Sequence, residues 1–286
     1  RSHSAAYSVV AYRTAYLKAN YKPEYMAAVL THNFSDIKKI TQFMEECHRQ
    51  EIPVLGPDVN ESMFRFVVNE KGEIRFGLGA VKGVGEGAVE AIVTEREANG
   101  PFKNIFDFAR RVNLRSVNKK VIESLARAGA FDGFPDCHRA QFFHSEDNGQ
   151  TNFIDRIIRH TNMVLLREST SQMSLFEESA DAEIPDPEIP ACAPWDKLEM
   201  LRNEKEVTGM YISGHPLDGY KLLIDQVCNI TVGDLRNLQA YRNKDVCFAG
   251  IITGATHKYG KTGKPFGTFQ IEDYNDSYSL FLFSED

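Results

Sequence analysis

The chain has 286 residues, of which 42% are hydrophobic and 26% charged, and its formal net charge is -7. This composition predicts a soluble globular chain with two or three modest cores, and it excludes a membrane span, which needs roughly 18 to 20 consecutive apolar residues. No signal-peptide pattern is seen, and the five scattered cysteines form no Cys-x-x-Cys pair, so we expect a cytoplasmic protein with neither a disulfide framework nor a zinc site.

The N-terminal part of the sequence predicts three helices. The first begins almost at residue 1 and has Tyr7, Val10, Thr14 and Leu17 on one side; the second begins at Pro23, and the third spans residues 37–49. No initiator methionine precedes the first helix, so we expect a piece of a longer protein. A β-hairpin, residues 64–68 and 73–76, is predicted next.

Residues 76–93, FGLGAVKGVGEGAVEAIV, carry the most informative pattern. They predict a helix, a tight hairpin, and a second helix that buries Ala88, Ala91 and Ile92. Glycines allow positive φ and the close approach of a bulky group. The first N–H groups of a helix lack internal partners and lie at the positive end of its dipole, so the pattern indicates binding of DNA phosphates without base readout. A glycine-rich turn between two packed helices is the alternative.

A second helix-hairpin-helix unit is predicted directly after the first. It comprises a helix over 105–111, a hairpin over 113–118 capped by Asn118, and a helix over 119–128 ended by Gly129. Residues 71–130 hold 11 Lys/Arg and 7 Asp/Glu, although a solvated helix face would also explain such a cluster. The predicted DNA-binding residues are Lys82, Gly83, Val84, Gly85, Gly87, Arg110, Arg111, Arg115, Lys119 and Lys120.

A short peptide follows a predicted helix over residues 153–166. Its sequence, QMSLF, resembles the Q-x-x-L-F peptide by which clamp-dependent proteins hold the bacterial sliding clamp. Leu175 and Phe176 are adjacent apolar side chains whose burial is worth about 1.5 to 3 kcal/mol each, and Gln172 offers an amide for hydrogen bonds. The predicted clamp-binding residues are Gln172, Met173, Ser174, Leu175 and Phe176.

An acidic stretch separates this peptide from the C-terminal part. Residues 177–206 hold 10 Asp/Glu against 3 Lys/Arg and are interrupted by prolines, which predicts a linker rather than a metal site. From Trp195 the pattern becomes helical, with Leu198, Leu201 and Val207 at inward spacing.

The last part is β in character, with strands predicted over 246–253, 267–272 and 278–283. An OB barrel needs five strands, so we expect only part of one. Cationic side chains beside aromatic rings suit single-stranded nucleic acid, although Phe266 and Phe269 are equally well explained as core. The predicted single-strand-binding residues are Lys258, Tyr259, Lys261 and Lys264.

Four stretches resemble, in register, the bacterial replicative DNA polymerases of family C, the alpha subunits of DNA polymerase III: Ser2 to Tyr7, Pro57 to Asn60, Gly77 to Gly87, and Ala128 to Asp132. The resemblance covers nearly the whole chain. In that family the palm, with its metal-binding aspartates, and the PHP domain lie upstream. The resemblance implies four segments: the end of the fingers domain (1–50), the clamp-binding domain with its tandem helix-hairpin-helix (51–176), an acidic linker and connector (177–240), and a partial OB-fold (241–286).

The predicted fold class is therefore α+β, mainly α-helical with tandem helix-hairpin-helix units and a partial, OB-like β-barrel at the C-terminus. The resemblance implies a parent DNA-directed DNA polymerase, a nucleotidyltransferase that uses magnesium. Polymerisation needs acidic residues that hold two metal ions, so without the palm we expect no catalytic residue, metal site or cofactor in this fragment.

The expected role is to bind the DNA backbone non-specifically and to tether the polymerase to the sliding clamp during DNA replication. Expected partners are duplex DNA, single-stranded template, the clamp and other replicase subunits, with no membrane. The alternative is a non-catalytic DNA repair or recombination scaffold built from helix-hairpin-helix and OB modules. A nuclease would need a cluster of carboxylates and histidine on rigid elements, which the sequence does not predict.

Overall fold

The computed structural model describes residues 2–34, 36–145, 149, 151–171, 184–259 and 263–283. The chain divides into two compact units, Arg1–Ser213 and Gly214–Asp286. The first unit is mainly helical and the second ends in an antiparallel sheet. The predicted α+β fold class is thus confirmed.

The first unit begins with the three predicted helices, α1 (Ser2–Asn20), α2 (Lys22–His32) and α3 (Ile37–Arg49). On α2 the side chains of Met26, Ala27 and Leu30 are buried and face the core. The side of α1 that carries Tyr7, Val10 and Leu17 is exposed, with Tyr7 66% accessible. Among the described residues, α1 contacts mainly α2.

A small three-stranded sheet follows, with strand order β1-β3-β2. β1 runs parallel to β3, and β2 pairs antiparallel with β3 so that Val67 lies opposite Arg75. The predicted hairpin is confirmed, although its paired segments are shorter than predicted. The strands are β1 (Val54–Leu55), β2 (Val67–Val68) and β3 (Ile74–Arg75).

The segment before the first glycine-rich hairpin is a single 3₁₀ turn, Leu78–Ala80, rather than the predicted helix. Close packing explains the glycine within it, because a Cβ on Gly79 would lie 2.5 Å from the Phe64 ring. The helices of the rest of the unit are α4 (Glu86–Asn99), α5 (Ile105–Arg111), α6 (Lys119–Ala128), α7 (Arg139–Phe143), α8 (Phe153–Ser171) and α9 (Lys197–Thr208).

One hydrophobic core runs through the first unit, from Met26 to Met210. Its centre is a chain of aromatic contacts, with ring centroids 5.1 Å apart for Phe108 and Phe131 and 5.4 Å apart for Phe131 and Phe142. Such ring pairs add specific geometry to the burial of apolar area. α2 and α3 share this core with the helix-hairpin-helix region, so packing is continuous across the predicted boundary near residue 50.

The later part of the predicted acidic linker, from residue 184, makes specific contacts with the rest of the first unit. Residues 184–194 form no helix or strand, yet side chains hold their carbonyls: Gln141 Nε2 donates to Pro190 O over 2.8 Å and Arg156 donates to Glu188 O over 2.9 Å. In α9, Leu201 and Val207 are buried as predicted, whereas Leu198 is 41% exposed.

A buried carboxylate, Glu204 of α9, holds the residues that follow this helix. Glu204 is 0% exposed and accepts hydrogen bonds from the N–H groups of Ile212 and Ser213 at 2.7 and 2.9 Å. It also accepts from Arg139 at 3.3 Å. A buried charge is tolerated when it is paired and fully hydrogen-bonded, so Glu204 joins α9, the segment after it, and α7.

The second unit contains α10 (Lys221–Val227) and a sheet of order β4-β5-β6, with both pairs antiparallel. Its small core consists of Ile230, Val232, Leu235 and Ile271. The strands are β4 (Ile251–Tyr259), β5 (Pro265–Glu272) and β6 (Ser277–Phe283), and among the described residues they do not close a barrel.

The first strand of this sheet begins later than the predicted residue 246. Cys247 O instead accepts hydrogen bonds from the N–H groups of Asn229 and Ile230, at 3.0 and 3.3 Å. Pairing with β5 starts only at Ile251, opposite Glu272. The carbonyl of residue 247 is therefore engaged outside the strand ladder.

We predict that Glu204→Gln destabilises the first unit by about 3 to 5 kcal/mol, because it leaves Arg139 with a weakened buried pair and turns an NH₂ group towards backbone donors. The measurement is urea unfolding followed by circular dichroism. Glu206→Gln on the same helix is the matched control; its side chain is 61% exposed and pairs with Arg127, so we expect a loss below about 1 kcal/mol. Equal losses would show that Glu204 is not the buried anchor.

Candidate nucleic-acid interface

The first hairpin, residues 82–85, depends on two features of its central residues. Gly83 has φ +85°, a conformation that side chains with a Cβ disfavour. Val84 is only 6% exposed and packs into the core. Its side chain therefore anchors the hairpin from inside, and the predicted contact of Val84 with DNA would use its backbone.

The backbone that follows the hairpin is open to a ligand. Gly85 precedes the first turn of α4, and its carbonyl accepts from the N–H groups of Ala88 and Val89 at 3.1 and 3.2 Å. The N–H groups of Glu86 and Gly87 therefore have no helical acceptor, as at any helix start. A Cβ on Gly85 or Gly87 would meet nothing within 4 Å, so neither glycine is required by packing.

The second hairpin has the predicted boundaries. Asn104 caps α5 by accepting from Asp107 N at 2.8 Å, and Asn118 caps α6 by accepting from Val121 N at 3.2 Å. Gly129 ends α6 in the left-handed conformation, with φ 85°. Asn118 and Gly129 are thus the cap and the terminal glycine that the sequence indicated, because capping chemistry is local.

The two hairpins lie against each other. A Cβ on Gly83 would lie 3.4 Å from Ser124 Oγ and 3.8 Å from Lys120 Cε, so the first turn rests on the beginning of α6. The amide of Lys82 donates to Val207 O over 2.7 Å, which ties the same turn to α9. The structure thereby brings Lys82 and Lys120 to one place. Neither Ser124 nor Val207 carried any sequence signal for this role.

The predicted basic residues fall into two groups. Lys82, Arg115 and Lys120 are exposed, and none has an acidic partner within the described ranges. Arg110 and Lys119 are also accessible to solvent but are paired, with Arg110 2.6 Å from Asp186 and Lys119 2.7 Å from Asp155.

Arg111, which is also predicted to contact DNA, has several partners within the protein. Its guanidinium pairs with Glu95 and Asp107, each at 3.0 Å, donates to Gly100 O at 2.7 Å, and lies 4.5 Å from the centroid of the Phe102 ring. The hydrogen bond from Arg111 also holds the pKa of Glu95 below its ordinary value. These contacts use the donors that a phosphate would need.

The predicted clamp-binding peptide, residues 172–176, lies wholly outside the described residues. Of the predicted single-strand site, Lys261 lies outside them. Lys258 and Tyr259 lie at the end of β4, where Tyr259 is 73% exposed, and Lys264 immediately precedes β5. Phe269 packs against the small core, in line with the alternative interpretation.

Within the described part of the chain, no three His, Cys, Asp or Glu side chains come together as ligands for a metal ion. None of the described helices combines the length and the apolar character that crossing a bilayer requires.

Comparisons with known proteins agree with the motifs. The family described as "Helix-hairpin-helix motif" matches residues 51–142. Over its whole length the chain is 34% identical to the DNA polymerase III alpha subunit of Vibrio cholerae and 33% identical to that of Escherichia coli K12; over 99% of its length it is 37% identical to that of Thermus aquaticus. The chain spans 24%, 24% and 22% of these relatives. The resemblance seen in the sequence is thus confirmed: this chain is related, along its whole length, to about a quarter of the DNA polymerase III alpha subunit.

Proposed function

We propose that this chain is the part of a replicative DNA polymerase that holds duplex DNA by its backbone behind the active site and tethers the enzyme to the sliding clamp. The observation that carries the DNA-binding part is the junction of the two hairpins. There Gly83 rests on α6, exposed glycine backbone precedes α4, and Lys82 and Lys120 lie together.

The chemistry of this junction suits phosphate. The N–H groups of Glu86 and Gly87 can donate to one phosphate, and those of Lys119 and Lys120 at the start of α6 to another. Lys82, Arg115 and Lys120 supply positive charge without an acidic partner within the described ranges. Contacts of this kind fix the register on a duplex without reading its bases, as a replicative enzyme requires.

The paired cations form the border of this surface. Arg110 and Lys119 are bound to Asp186 and Asp155, and exposed pairs of this kind are worth at most about 1 kcal/mol. A phosphate can therefore replace either carboxylate at small cost. Arg111 does not take part, because its partners are inside the protein.

Clamp tethering is the second half of the proposal and rests on the sequence QMSLF at residues 172–176. Burial of two apolar side chains gives affinities of about millimolar to tens of micromolar before ordering costs. Simultaneous attachment to DNA raises the effective concentration of the peptide at the clamp. The DNA surface and the clamp peptide would therefore act together.

Nucleotide transfer, in this proposal, belongs to the palm of the whole polymerase, with magnesium ions held there by acidic residues outside this chain. Contacts with other replicase subunits are expected of the whole enzyme. Lys258, Tyr259, Lys261 and Lys264 would contact single-stranded template through charge and stacking. This chain acts by holding its partners.

We predict that Lys82→Ala/Lys120→Ala weakens duplex binding and lowers the log-log salt slope by about 0.9 for each phosphate that the lysines no longer neutralise. The measurement is fluorescence anisotropy of a labelled duplex titrated with the 286-residue chain at several salt concentrations. Lys22→Ala/Lys71→Ala removes the same charge from exposed positions outside the two helix-hairpin-helix units. For this control variant we expect little change in the salt slope. Equal slopes for the two variants, or strong dependence on base sequence, would contradict the proposal.

We predict opposite effects on stability and DNA binding at Gly87. Gly87→Ala should leave stability unchanged or raise it by up to about 1 kcal/mol, because alanine suits a helix better than glycine, and the position is open. DNA affinity should fall because the methyl group blocks the approach of a phosphate. Gly83→Ala is the contrasting variant: at φ +85° it should lose about 1 to 2 kcal/mol of stability. Unchanged DNA binding in Gly87→Ala would mean that no phosphate contacts this turn.

We predict that Leu175→Ala/Phe176→Ala abolishes binding to purified sliding clamp and leaves duplex binding unchanged, because the two side chains fill the clamp pocket and lie outside the hairpins. Surface plasmon resonance on immobilised clamp measures this directly. Leu165→Ala/Leu166→Ala, on exposed positions of α8, is the matched control and should retain binding. If the Leu175→Ala/Phe176→Ala variant binds the clamp as strongly as the wild type, the clamp contact does not use these residues. That conclusion is independent of the result for DNA binding.

A further inference from the structure

Two cysteines lie together in the second unit, although nothing in their sequence spacing indicated it. Cys228 follows the last residue of α10, and its N–H donates to Ile224 O at 2.9 Å. Cys247 lies in the segment that precedes β4. Both are free thiols.

A set of hydrogen bonds holds the two segments side by side. The N–H groups of Asn229 and Ile230 both donate to Cys247 O, at 3.0 and 3.3 Å. In return, Cys247 N donates to the Asn229 side chain at 2.8 Å, and Asn229 Nδ2 donates to Asp245 O at 2.9 Å. Cys228 is the residue next to Asn229, so these hydrogen bonds bring the backbones of Cys228 and Cys247 close together. A disulfide needs its two Cα atoms within about 4.4 to 6.8 Å, and adjacent hydrogen-bonded backbones provide this kind of approach.

The two thiols differ in accessibility. Cys247 is exposed to solvent, whereas Cys228 is half-buried. Burial, and then the neighbouring Cys247, raise the pKa of Cys228. Thiol exchange begins with the thiolate that can reach the reagent. Cys247 is therefore the thiol that reacts first, and Cys228 is the one that follows.

Two other cysteines, Cys47 and Cys137, are poor competitors. Cys47 is fully buried, and burial raises its pKa to about 11, with Glu46 adding to the effect. Burial likewise raises the pKa of Cys137 to about 11, helped by Asp136 and Asp132. At neutral pH almost none of either thiol is ionised, so both react slowly.

We propose that Cys247 and Cys228 form a thiol modification site that takes low-molecular-weight disulfides such as glutathione disulfide. The Cys247 thiolate attacks one sulfur, breaks the S–S bond and releases one glutathione thiolate, which takes up a proton. Cys228 then loses its proton and attacks the Cys247 sulfur of the mixed disulfide, releasing the second glutathione. Two cysteine thiols become one internal disulfide, and one glutathione disulfide becomes two glutathione molecules.

The internal disulfide would join the end of α10 to the segment before β4 and close a loop that contains the 3₁₀ helix Gly233–Tyr241. Closing a loop reduces the freedom of the unfolded chain, so the second unit becomes harder to unfold. A reducing compartment keeps the pair as thiols, and an oxidising shift in the glutathione pool converts it. The site therefore reports redox state through the stability of this unit.

The test is incubation of the 286-residue chain with excess glutathione disulfide, followed by intact mass and peptide mapping. We expect the wild type to lose two hydrogens and to show a Cys228–Cys247 cross-link. Cys228→Ser should instead accumulate one stable glutathione adduct on Cys247, because no thiol resolves it. Cys192→Ser is the control and should behave as the wild type.

A second readout needs no variant: the thermal transition of the oxidised wild type should rise, and dithiothreitol should return it to the starting value. Circular dichroism of each variant before oxidation checks that it is folded. The proposal is overturned if the wild type keeps a glutathione adduct as Cys228→Ser does, or if mapping finds other cysteines cross-linked. An oxidised form with an unchanged thermal transition would overturn the inferred stabilisation.

Discussion

The candidate DNA surface depends on one backbone hydrogen bond, from Lys82 N to Val207 O at 2.7 Å. A glycine-rich turn gains little from its own side chains, so its position must come from the elements around it. Here α6 supports the turn beneath Gly83, and the last turn of α9 holds Lys82. These contacts therefore fix the position of residues 82–84, while Gly85 and Gly87 have open space around them. Rigid presentation of free N–H groups is what phosphate binding requires.

The position of α9, which holds Lys82, in turn depends on a buried pair of charges, Glu204 of α9 and Arg139 of α7. Glu204 accepts four hydrogen bonds, from Arg139, Ser213 Oγ and two backbone amides. Arg139 also pairs with Asp132 at 2.6 Å, and its guanidinium occupies the space that a Cβ on Gly129 would need. Gly129 thus serves two purposes, as the left-handed end of α6 and as clearance for an arginine. A buried network of this kind specifies one arrangement of α6, α7 and α9 because each group left unpaired would be costly.

Acidic residues define the limits of the basic surface. The whole chain is negative, at -7, yet carboxylates that flank the hairpins are bound to cations: Asp186 to Arg110, Asp155 to Lys119 and Glu206 to Arg127. Lys82, Arg115 and Lys120 lie outside these pairs. Local charge, rather than net charge, therefore decides where a polyanion is attracted, because interactions beyond about 10 Å are screened at 0.1 M salt.

The sequence alone determined the local features: the bounds of α3, α5 and α6, the cap at Asn118, the terminal Gly129 and the family resemblance. Each depends on a few neighbouring residues, so periodicity and capping chemistry suffice. Only the tertiary structure decided the rest. It placed Val84 in the core, gave Arg111 internal partners, packed the segment around Glu204 and brought the segments of Cys228 and Cys247 side by side. These outcomes depend on contacts between residues far apart in the chain, which no local pattern of residues encodes.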